Sequence, residues 1–138
     1  MKSLFAILLL AIGVVGFSQE VELDPVNGPI LTFSEKIFNF GEITQNDVVE
    51  HVFTFENTGS TTLILTQVKT TCGCTVPSWP REPIASGETS EITVRFNSRG
   101  KSGMQNKIIT IISNAQNATE KIRIVCQVKV PVAGDSGN

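Results

Sequence analysis

The nine residues from Val48 to Glu56, VVEHVFTFE, alternate without a break. Val49, His51, Phe53 and Phe55 fall on one face, and Glu50, Thr54 and Glu56 fall on the other with Val52 among them. A period of two marks a β-strand with one face on a core and one face in water. The pattern recurs downstream. Ser90–Phe96 sets Ile92, Val94 and Phe96 against Glu91, Thr93 and Arg95, and Lys121–Val130 sends Ile122, Ile124, Cys126 and Val128 to one side. Lys107–Ser113 (KIITIIS) is apolar almost throughout, as suits a central strand. Pro29–Phe33, Ile37–Ile43 with its break at Gly41, and Thr62–Val68 complete a set of about seven strands. Turn residues separate them at Asn57-Thr58-Gly59-Ser60, at Ser86-Gly87-Glu88 and from Asn114 to Thr119, with a polar connection from Asn97 to Asn106. No helical period of useful length interrupts the series. The expected fold is all-β, a single antiparallel β-sandwich.

The ends of the chain read differently. Met1-Lys2-Ser3 is a short positive start, and Leu4 to Phe17 is an uncharged run of 14 residues. Such a helix spans roughly 21 Å, short of the roughly 30 Å of a membrane's hydrocarbon core. Gly16 and Ser18 place small residues three and one positions before Gln19. Residues 1–18 are therefore expected to be a secretory signal peptide cleaved after Ser18, which leaves no membrane span. The expected domains are a flexible lead-in at 19–29, the sandwich at 30–130 and a disordered tail at 131–138. The 120 residues after Ser18 hold 12 Val, 12 Ile and 14 Thr against 4 Leu and 4 Ala, which favours strands over helices. They hold 10 basic and 13 acidic residues, so no surplus of cations is available for a nucleic-acid backbone.

Five phrases occur in order along the chain: FNFGEI at 38–43, HVFTFENTG at 51–59, TTCGCTVP at 70–77, PIASGE at 83–88 and VRFNSRGKSG at 94–103. Together they resemble the bacterial Domain of Unknown Function 1573 family, over about residues 30–130. The resemblance implies an exported Ig-like module, related to sandwiches of the ASH and major sperm protein type, with no established reaction. Cys126 departs from it, standing where a glycine or small residue is expected. Members of this kind are often lipid-anchored, but here no Cys follows the apolar run. Asn117-Ala118-Thr119 fits a glycosylation sequon, a chance match in a bacterial chain.

The cysteines offer the only evident chemistry. In an extended strand the Cα atoms of Cys72 and Cys74 would lie about 6.6 Å apart, at the far edge of the disulfide range, and Gly73 lets the chain fold tighter. Three cysteines cannot all pair within one chain, and four readings stand. A Cys72–Cys74 bond closes a short loop worth about 1.6 kcal/mol of chain entropy. A bond from Cys126 to Cys72 or Cys74 closes a long loop worth about 4 kcal/mol. Cys72 and Cys74 as thiolates could hold a soft metal ion such as Cu(I) or Zn(II), with Cys126 and His51 as the remaining ligand candidates. Lastly, the thiols are packing residues, the reading that suits Cys126 among its apolar neighbours.

Other residues are weighed against plainer roles. His51 shares a face with Phe53 and Phe55 and reads as a hydrogen-bonded residue at the core's edge; no nucleophile and base can be assembled around it. Glu82, Glu88 and Glu91 read as solvated. Pro77, Pro80 and Pro83 stiffen a loop around Trp79, the partner-binding candidate, whose competing role is to cap the core. The expected function is that of an exported, non-enzymatic module with a structural or protein-interaction role in the cell envelope or outside the cell, periplasmic or extracellular. Its partner would be an envelope or extracellular protein and no cofactor is expected. The alternative is a thiol-based metal-binding or redox protein using Cys72-Gly73-Cys74.

Overall fold

A computed structural model describes residues 13, 15, 16 and 27–132. The cleavage site after Ser18, most of the signal peptide and lead-in, and the tail beyond residue 132 lie outside the described residues. The strands are β1 (Leu31–Phe33), β2 (Ile37–Thr44), β3 (Val48–Asn57), β4 (Leu65–Thr70), β5 (Thr75–Ser78), β6 (Thr89–Asn97), β7 (Gly103–Ser113) and β8 (Thr119–Lys129). They form two four-stranded sheets, ordered β1-β3-β6-β5 and β2-β8-β7-β4. The architecture is the all-β sandwich that the alternation implies, with eight strands instead of about seven.

The extra strand is β5, placed where the prolines suggested only a loop. It pairs with β6 from Thr75 opposite Phe96 to Ser78 opposite Thr93. A second correction concerns direction. Five of the six strand pairs are antiparallel, but β2 runs parallel to β8, with Ile37 opposite Arg123 and Phe38 opposite Ile124. A register shift between Asn39 and Glu42 accommodates Gly41, whose φ of 73° suits glycine. β7 begins at Gly103, inside the stretch expected to be a connection. β4 starts later than expected because Leu63 stands outside it, in an isolated bridge to Ile84.

The core follows from the period-two pattern. Phe53, Phe55, Ile92, Val94 and Phe96 of one sheet face Ile109, Ile111, Ile122, Ile124 and Val128 of the other, all at 2% exposure or less. Each such side chain contributes about 1.5–3 kcal/mol relative to exposure. Buried polar groups are satisfied: among the described residues no buried side-chain nitrogen or oxygen lacks a partner. Asn57 carries the most of this work. Its Oδ1 accepts from the Ile30 and Gly59 N–H groups, and its Nδ2 donates to the Thr61 and Ile84 carbonyls. One buried amide thus ties the entry to β1, the turn after β3 and the Leu63–Ile84 bridge.

Candidate functional site

The chain crosses between sheets at the corner from β4 to β5, each an edge strand of its own sheet. Thr71-Cys72-Gly73-Cys74 makes the crossing as a tight turn. The sulfurs of Cys72 and Cys74 are bonded to each other, with Cα atoms 5.2 Å apart, well inside the extended-strand spacing. The Thr75 N–H donates to the Cys72 carbonyl at 3.2 Å. The Thr70 hydroxyl lies 3.1 Å from the Cys72 carbonyl and 3.2 Å from the Thr75 carbonyl. The Cys74 N–H points at Cys72 Sγ, 3.2 Å away, and the Cys74 carbonyl accepts from the Asn97 N–H at 2.9 Å. Both cysteines are half-buried. A cleft of about 290 Å³ opens beside them, lined by Gly73, Cys74, Val76, Arg95 and Asn97. Arg95 and Asn97 were not singled out by the sequence. Only the β5–β6 register brings them to the cysteines, with Val76 opposite Arg95.

The other candidates lie apart. Cys126 is a free thiol at 1% exposure on the inner face of β8, so the long-loop pairing to Cys72 or Cys74 is not the one adopted. Burial pushes its pKa above the ordinary thiol value, against a smaller opposing pull from Lys107. His51 stacks on Phe38 with ring centroids 3.5 Å apart, meets Phe53 edge-on and pairs through Nε2 with Glu35. Glu35 is the partner that the sequence did not disclose, because it precedes β2 and reaches β3 only in the fold. With Cys72 and Cys74 bonded together, neither is a thiolate ligand in this state. Among the described residues no three His, Cys, Asp or Glu side chains converge on a metal position. Trp79 is half-buried against the core, and the Arg81 guanidinium lies 3.5 Å from its ring centroid.

The four sheet edges are finished differently. At β1 the Asn117 side chain takes the place of a neighbouring strand: its Oδ1 accepts from the Leu31 N–H at 3.0 Å and its Nδ2 donates to the Leu31 carbonyl at 2.7 Å. Asn117 also donates to Glu120, which Lys36 holds from the other side at 2.6 Å. Burial alone would raise the Glu120 pKa, but these two hydrogen bonds and the Lys36 charge keep it below the usual carboxylate value. At β2 the irregularity at Gly41 interrupts the edge, and the Gly41 N–H is taken by the Asn39 side chain. At β5 the Cys74–Asn97 bond sets the alternation, so Thr75 and Pro77 turn their backbone outward. Thr75 is already bonded on both sides and proline has no N–H to offer. Among the described residues, nothing closes β4 in this way. The Ser113 N–H points to β8 and the Asn114 N–H to Ile64, so Ile112 and Thr110 face β4 and pair with Gln67 and Lys69. Val68 and Thr70 therefore direct their backbone groups away from the sheet.

Two four-stranded sheets packed on one core form an Ig-like β-sandwich. The chain belongs to the family described as "Protein of unknown function (DUF1573)", which matches residues 31–128. A protein of unknown function from Porphyromonas gingivalis W83 is similar in structure, with TM-score 0.65, 16% identity and 79% of this chain covered. This chain spans about half, 51%, of that protein. The ASH / PapD-like domain 7 of human CEP192 is similar at TM-score 0.63 and 12% identity, over 76% of this chain and 89% of that one. The secreted serine protease VesC from Vibrio cholerae follows at TM-score 0.55 and 13% identity, over 71% of this chain and 23% of the protease. At these identities the likeness is one of fold. No curated protein matches the chain significantly.

Proposed function

We propose that this chain is an exported, non-enzymatic Ig-like module that binds a partner protein in the cell envelope or outside the cell, through an extended segment added alongside β4. The observation that carries this reading is the unequal finish of the sheet edges. Open edges are aggregation liabilities, and proteins close them with specific devices. Here Asn117 covers β1, Pro77 and the bonds of Thr75 close β5, and Gly41 breaks β2. Among the described residues, no side chain or loop takes the outward groups of Val68 and Thr70 on β4. Main-chain pairing would supply affinity, and exposed Lys69 would favour an acidic segment. Export is supported by the leader pattern in residues 1–18. Among the described residues no helix is long and apolar enough to cross a membrane.

Val68→Pro tests the contact. It removes an N–H that points away from β7, so the sheet keeps its ladder, while the loss of the Val68 side chain from the core is expected to lower Tm by about 5–10 °C. Proteins cross-linked to the wild-type chain in the envelope fraction are expected to drop at least tenfold in yield with the variant. Unchanged capture would overturn the reading. Trp79→Ala separates the two contact sites: loss of capture with Trp79→Ala and not with Val68→Pro would move the contact to the 77–83 loop.

A further inference from the structure

The corner from β4 to β5 holds chemistry that partner binding does not use. We propose that Cys72–Cys74 is an exchange-competent disulfide that oxidises protein dithiols presented to the cleft beside it, with Cys74 the sulfur attacked and Cys72 the leaving thiolate.

Two observations assign these roles. The cleft is lined by Cys74, which also packs against the core, and not by Cys72, so a partner seated in the cleft lies beside Cys74. The Cys74 N–H lies 3.2 Å from Cys72 Sγ and is aimed to stabilise negative charge when that sulfur leaves. Low thiolate basicity speeds departure, and a backbone N–H lowers it. Arg95 lines the same cleft. Glu50 stands opposite it on β3, yet among the described residues Arg95 closes no ion pair. Its charge is thus available to draw an incoming thiolate. The space beside Gly73 is open: apart from its two chain neighbours, no atom would lie within 4 Å of a Cβ placed there. The bond also closes only a three-residue ring, so opening it removes little chain-entropy stabilisation. The sheets are held by the core and their ladders, and these persist when it opens.

A thiolate of the partner attacks Cys74 Sγ. The Cys72–Cys74 bond breaks, and its electron pair passes to Cys72, which becomes a thiolate facing the Cys74 N–H. A second thiolate on the partner then attacks the partner sulfur of the mixed disulfide. Cys74 leaves with that electron pair. The partner has lost two electrons and two protons and gained a disulfide; Cys72 and Cys74 have become thiols. Cys126 takes no part, being buried at 1% exposure.

The test uses the oxidised exported chain and glutathione as the probe. Aliquots are acid-quenched, alkylated and mapped. The glutathione adduct is expected on Cys74 with Cys72 alkylated, at least tenfold more abundant than the reverse arrangement. The far-UV circular dichroism is expected to stay native throughout and Cys126 to stay unmodified. Arg95→Gln, a change on the exposed face of β6, is expected to slow the reaction about three- to tenfold. A peptide carrying two thiols should gain one disulfide for each chain reduced. Adduct on Cys72, reaction only in denaturant, or a rate indifferent to Arg95→Gln would each overturn the proposal. None of these outcomes bears on capture through β4, so the two readings fail separately.

Discussion

Asn57→Ala is expected to lower stability by about 3–4 kcal/mol, a fall in Tm on the order of 15 °C by thermal denaturation. Asn57 is 0% exposed and its amide makes four hydrogen bonds. Truncation leaves the Ile30 and Gly59 N–H groups and the Thr61 and Ile84 carbonyls without that partner. The Ile84 carbonyl keeps the Leu63 N–H, each of the three groups left stranded costs about 1 kcal/mol, and the small void adds to the total. The loss spreads because these groups belong to separate segments. Asn57→Asp gives the control. It keeps an acceptor for the two N–H groups but turns a carboxylate oxygen toward two carbonyls in a buried site, so it is expected to be at least as damaging at neutral pH. A fall of under 5 °C with Asn57→Ala would contradict the role assigned to the amide.

Gly59→Ala is expected to cost about 2–4 kcal/mol, for a reason of space. A Cβ on Gly59 would stand 2.5 Å from the Ile30 nitrogen and 2.7 Å from the Pro29 carbonyl carbon, and closer still to the Gly28 carbonyl oxygen. All three are backbone atoms, which cannot swing aside as a side-chain tip would. The approach to β1 must move, and with it the bond from the Ser60 N–H to the Gly28 carbonyl and that from the Thr58 N–H to the Ile30 carbonyl. Gly87→Ala is the contrasting case: nothing lies within 4 Å of the added carbon, and the cost arises from a φ of 80° alone. Asn57 and Gly59 share the hydrogen bond at 3.1 Å, so the double variant is expected to lose less than the sum of the two. Additive losses in chemical denaturation would show that the two residues act independently.

The elements legible in the sequence are those whose signal is local. Alternation in β3, β6 and β8 names the inward residues, down to Cys126 between Ile124 and Val128, because a pleat has only two sides. Three features escaped. β5 was hidden by Pro77, which argues against a strand unless its missing N–H faces away from the sheet, a fact set by the distant partner β6. The parallel pairing of β2 with β8 joins segments more than eighty residues apart, and nothing in either states a direction. Asn117 reads as a sequon by its neighbours, while its actual work on Leu31 depends on where β1 lies. The candidate site divides in the same way. Cys72 and Cys74 announce themselves by spacing. Arg95, Asn97 and the aim of the Cys74 N–H exist only once the sheets are built. His51 was placed correctly among aromatics, but Glu35 could not be found from spacing.

The proposed exported module carries one short disulfide and one buried thiol. Intact mass of the protein recovered from the producing cells tests it most directly, under native and denaturing spray, with and without alkylation. The expected protein begins at Gln19 and is lighter than its reduced form by two hydrogens. The native protein is expected to take no alkylation, the unfolded protein a single one, and no mass is expected to be lost between native and denatured states. A chain that retains residues 1–18, or three alkylated thiols with a metal-sized mass difference, would contradict it.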